Sequence, residues 1–106
     1  MKVSHARTAN DEVILRRDMS MSHADFHRIF PKVVGDAIWR TEGDVVTLNE
    51  GEGRVLRIKL GVEGERRIAN LALPRTLVEF CFDGYSDAHV EAFLQRFDRS
   101  FRRGGG

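Results

Sequence analysis

A single cysteine, Cys81, is all the thiol chemistry this 106-residue chain carries. It excludes an internal disulfide and suits a reducing compartment, so a cytoplasmic protein is expected. Charge of one sign is also lacking: 17 Lys and Arg stand against 16 Asp and Glu, a formal net charge of +1. No global basic field is present to hold a phosphate backbone, which argues against nucleic acid as the partner. No apolar run approaches the roughly 20 residues of a membrane helix, and the first residues hold no signal-peptide core, so no membrane role is expected. Internal repeats and low-complexity segments are absent apart from the final glycines. What is there is 42% hydrophobic and 31% charged residues, a balance that suits one domain with its own core.

Met1 to Asp11 is polar and unpatterned and is expected to be a disordered tail. Residues 12–103 follow as one α+β domain, and 104–106 as a flexible Gly tail. Glu12 to Arg17 has strand character. Ser22 then has the features of a helix N-cap, with Asp25 three residues on, and Met21 and Phe26 spaced for a hydrophobic staple. Phe26, Ile29, Phe30 and Val33 make one apolar helical face. Pro31 should break or kink that helix near Phe30, and Lys32 to Val34 add a turn before Gly35.

From Ala37 to Asp83 the rhythm is that of strands and turns. Ala37 to Asn49 forms one bent strand or two. Asn49 to Gly53 turns the chain into Arg54 to Leu60, and Gly61 to Glu65 turns it into Arg66 to Leu73. Pro74-Arg75 is expected to turn it again into Thr76 to Asp83. Such short connections favour an antiparallel meander of four to five strands. Alternation assigns Leu56, Ile58 and Leu60, Leu71 and Leu73, and Val78, Phe80 and Phe82 to the helix-covered face. Val45, Val55, Ile68 and Ala72 fall on the other. Ser86 caps a final helix whose stripe of Val90, Phe93, Leu94, Phe97 and Phe101 is strongly amphipathic. That helix should pack on one face of the sheet. In its element order the chain is similar to the TATA-binding-protein-like arrangement and to helix-grip domains of the Bet v 1 and START type. The resemblance implies a curved antiparallel sheet around the terminal helix and carries no site residue with it.

Candidate chemistry is sparse. His23 and His27 lie four apart on the first helix, half of a metal site without its remaining ligands, so no metal or cofactor is expected. Cys81 and His89 flank the strand-to-helix corner, but Glu79 and Asp83 alternate with Cys81 and would raise its pKa. Asn49 to Gly53 is a hairpin turn rather than a phosphate cradle, because Glu50 and Glu52 repel phosphate. Arg96, Arg99, Arg102 and Arg103 form a basic stripe on the last helix, with Asp98 placed to pair with Arg102. The ending Arg-Arg-Gly-Gly-Gly resembles the tails of ubiquitin-like and sulfur-carrier proteins, which implies adenylation of a terminal carboxylate.

No nucleophile, base and orienting group can be assembled, so the leading expectation is a non-enzymatic module that binds a protein partner or itself. Its contact would use the basic stripe or the open sheet face through Val55 and Ile68. The alternatives are a small apolar ligand walled by Trp39, Leu71, Phe80, Phe82, Phe93, Phe97 and Phe101, and a carrier that uses its Gly tail.

Overall fold

Thirteen consecutive residues, Leu71–Asp83, form a single strand in the computed structural model, which describes the backbone of residues 6–7 and 11–104 and the side chains of residues 11–102. The elements in chain order are β1 (Ala6–Arg7), β2 (Glu12–Met19), α1 (His23–Ile29), α2 (Pro31–Val34), β3 (Ile38–Glu42), β4 (Val45–Gly51), β5 (Arg54–Leu60), β6 (Gly64–Ile68), β7 (Leu71–Asp83) and α3 (Asp87–Gly104). This is an α+β fold with a wholly antiparallel sheet. The sheet order is β1-β2-β7-β5-β4-β3, with β6 also on β7. Residues 38–83 run as a meander, and the N-terminal β2 closes it by pairing with the final strand. Within the expected tail, Ala6 and Arg7 pair with Ile14 and Val13; residues 1–5, 8–10 and 105–106 lie outside the described residues.

Local chemistry explains the helices. The Ser22 hydroxyl accepts the Asp25 N–H at 3.1 Å, and the helix bends where Pro31 opens α2 directly after Phe30. Ser86 repeats the capping, accepting the His89 N–H at 3.1 Å. Ala37 to Asn49 proves to be two strands joined at Gly43-Asp44, with Gly43 at a φ of 58°. Gly84 must be glycine: its φ is 82°, and a Cβ there would lie 2.3 Å from the Gly53 carbonyl oxygen.

The register of β7 sets the faces. Thr76, Val78, Phe80 and Phe82 are buried, and their cross-strand partners Leu15, Val13, Leu56, Ile58 and Leu60 share that side. Against it lie Phe26, Ile29 and Phe30 of α1 and its bend, and Val90, Phe93, Leu94, Phe97 and Phe101 of α3. The rings interlock: Phe97 meets Phe80 edge-on with centroids 5.0 Å apart and stacks on Phe101 at 4.1 Å. The buried Thr76 hydroxyl donates to the Met21 carbonyl at 2.8 Å.

The expected turn at Pro74-Arg75 is not there. The chain reverses at Ala69-Asn70, where Ala69 takes a φ of 55°, and Pro74 sits inside β7 opposite Glu65. Proline is tolerated because β2 begins to pair only at Thr76, so β7 has one neighbour at Pro74. Leu71 and Leu73 are thereby in register with Cys81, away from the core. Phe97 sits at the centre of the ring cluster, and Phe97→Ala should cost about 3–5 kcal/mol in urea unfolding followed by circular dichroism.

Candidate interaction surface

The face of the sheet turned away from the helices carries the odd-numbered residues of β7. Around Glu79 and Cys81 it is a belt of charge: Arg16 meets Glu79 at 2.8 Å, Lys59 meets Glu79 at 3.8 Å, and Arg57 meets Glu12 at 3.1 Å. Apolar islands lie on either side. One, near β3, is a hollow of about 260 Å³ lined by Ile38, Thr47, Asn49 and Val55. The other runs onto the β6–β7 hairpin.

That hairpin is an arm. Residues 62–72 are all exposed, so neither of its faces is packed against the body. Register places Ile68, Leu71 and Leu73 on one side of it, with Leu77 continuing along β7. Ile68 is 52% exposed, Leu71 63% and Leu77 55%. At its base a hollow of about 290 Å³ is lined by Arg16, Lys59, Gly61, Leu77 and Glu79. Asp18 ties the arm to β2 by meeting Arg66 at 2.9 Å and Arg75 at 2.8 Å. The Arg75 hydrogen bond, the largest influence, holds the Asp18 carboxyl below its ordinary pKa, so this anchor is present above that value and is lost as acid protonates it. The His23 ring nitrogen Nε2 lies 2.6 Å from the Gly61 carbonyl, and the His23 N–H donates to Glu63 at 2.8 Å, which fixes the link between β5 and β6.

The expected apolar strip is therefore split. Val55 belongs to the β3 side, beyond the charge belt, and Ala72 lies on the opposite side of the arm from Ile68. Leu71 leaves the expected ligand wall for the arm, whereas Phe80, Phe82, Phe93, Phe97 and Phe101 stay buried together and touch one another. Trp39 is half-buried and meets Phe30 edge-on. Leu73 and Leu77 were missed as surface residues; reading the odd-numbered leucines through Pro74 as one strand would have found them.

The basic stripe is partly spent. Arg96 reaches Glu50 at 2.6 Å, and Tyr85 donates its hydroxyl to the same carboxylate, whose side chain is only 13% exposed. Arg54 covers the Tyr85 ring at 5.9 Å. This cluster clamps α3 to the β4–β5 turn. Asp98 pairs with Arg17 of β2 rather than with Arg102, while Arg99 and Arg102 stay exposed; the Arg103 side chain lies outside the described residues.

Cys81 is 6% exposed and donates to Glu79 at 3.7 Å. Burial, then Glu79, pushes its thiol pKa up. His89 is engaged in the α3 cap, its Nδ1 accepting the Ser86 N–H at 3.5 Å. Among the described residues no three His, Cys, Asp or Glu side chains gather as metal ligands, and no helix is long and apolar enough to cross a membrane. α3 runs to Gly104, and the last two glycines lie outside the described residues. No family model matches the chain, and no curated protein or solved structure is significantly similar to it.

Native protein at pH 8 should react with a disulfide reagent at Cys81 at least about tenfold more slowly than protein in denaturant, because little thiolate forms. Equal rates would contradict the burial. Tyr85 gives an alkaline signature. Burial, then the Glu50 hydrogen bond, raises its pKa in the fold, so the stability it confers is complete below its ordinary value of 10 and is lost as pH rises beyond it. Tyr85→Phe should cost about 1 kcal/mol at neutral pH and flatten the fall in stability above pH 10, as read from denaturant midpoints.

Proposed function

We propose that this protein is a non-enzymatic interaction module that associates with itself through the β6–β7 arm. One observation carries the reading: Ile68 and Leu71 are each more than half exposed on one side of a two-stranded ribbon that has no core of its own, and Leu77, equally exposed, continues that side along β7 where β2 joins it. An isolated hairpin is at best marginally stable in water, and an apolar row on one is a liability unless something covers it. The arm is anchored at its base by Asp18 and by the His23 contacts, so it presents that row in a fixed direction. The charge belt beside it would supply the polar rim that a protein contact needs. The lone, poorly ionised thiol and the occupied His89 offer no chemistry that would compete with a binding role. A reducing, cytoplasmic setting suits that thiol.

Ile68→Asp places a carboxylate in the row without touching the buried core. The variant should keep the circular dichroism spectrum of the native chain and sediment as a monomer at concentrations where the native chain sediments as a dimer. A native dimer indifferent to this change would contradict the reading.

A further inference from the structure

We infer that the copies join strand to strand along the outer edge of β6, antiparallel about a two-fold axis through Arg66. The inference rests on the proposed self-association and specifies its geometry.

A two-residue loop makes Ile68 and Leu71 a pair that exchanges both backbone hydrogen bonds. Gly64, Arg66 and Ile68 therefore direct their backbone groups toward β7, and Glu65 and Arg67 direct theirs outward. No strand among the described residues takes them up. The arm's other edge is blunted, since Pro74 has no N–H to offer there. β6 is thus the open side of the arm, suited to strand addition.

The side chains along that edge are complementary to themselves. Two-fold antiparallel pairing about Arg66 sets Glu65 opposite Arg67 of the second copy, and Arg67 opposite Glu65. One sequence thereby makes two opposite-charge cross-strand pairs. In the single chain these two exposed side chains meet only each other among the described residues, at 3.5 Å. Arg66 would face its own symmetry mate, a like-charge contact. Its guanidinium, however, is drawn across β7 to Asp18 on β2 at 2.9 Å, away from the outer edge. Ile68 falls opposite Gly64, where no side chain obstructs it. The joined arms then carry Ile68, Leu71 and Leu73 of both copies on one face of a four-stranded ribbon, on either side of the central Arg66 pair, and Ile68 of each copy gains cover from the strand of the other at Gly64. A partner of unrelated sequence would require none of this self-complementarity.

Sedimentation equilibrium of the full chain tests the register. Glu65→Arg alone and Arg67→Glu alone should each weaken dimerisation by about tenfold, because each turns two attractive pairs into two repulsive ones. An equimolar mixture of the two variants should recover native affinity as a heterodimer, the double variant Glu65→Arg/Arg67→Glu should recover it as a homodimer, and all should keep the circular dichroism spectrum of the native chain. If single variants dimerise as the native chain does, or the mixture fails to recover, the strand-to-strand arrangement is overturned. Should Ile68→Asp still abolish the dimer in that case, self-association through the arm stands without it. A native chain that is monomeric throughout overturns both.

Discussion

The register of β7 is the constraint on which the rest of the molecule depends. From Thr76 to Asp83 it is hydrogen-bonded to β2, and from Val78 to Asp83 also to β5. A slip of one residue would drive Glu79 into the core and expose Phe80 and Phe82, so burial fixes its register firmly. The strand continues without a break to Leu71, and the same parity carries Leu71, Leu73 and Leu77 to the side where no helix lies. The exposed row is the geometric consequence of a strand that outruns its sheet.

Around this strand the other elements act as anchors. α3 supplies the Phe stripe that closes the core, and the Glu50 cluster with Tyr85 and Arg96 holds its outer flank. The close approach of Gly84 to Gly53 seats the corner that feeds α3. Asp18 binds two arginines of the arm from β2, while His23 grips the Gly61 carbonyl from α1. The arm is thus attached to the body on both sides of its root, and its tip remains free of the core.

Much of this fold was legible in local sequence. Ser22, Pro31 and Ser86 marked the helix ends, and the Phe stripe of α3 together with Val78, Phe80 and Phe82 identified the two halves of the core. Pro74 misled, because proline beside arginine has turn character. Only the absence of a second neighbour at that point of β7 makes it acceptable in a strand, and pairing is a tertiary fact. Ala69-Asn70 gives little turn signal, since alanine rarely adopts a positive φ. Both errors moved Leu71 to the wrong face. Asp98 was matched to Arg102 by helical spacing, whereas its partner Arg17 lies 81 residues away on β2, beyond the reach of any local pattern. The Glu50 cluster is hidden for the same reason.

In the proposed dimer the outward backbone groups of β6 find their partners in a second copy of the chain. Amide hydrogen exchange at two protein concentrations addresses it residue by residue. The N–H groups of Arg66 and Ile68, already paired to β7, should exchange at similar rates in dilute and concentrated samples. Those of Glu65 and Arg67 should exchange rapidly when dilute and become protected as concentration rises. Rapid exchange of Glu65 and Arg67 at every concentration, with Arg66 and Ile68 protected throughout, would show the edge to be permanently solvated and would contradict that pairing.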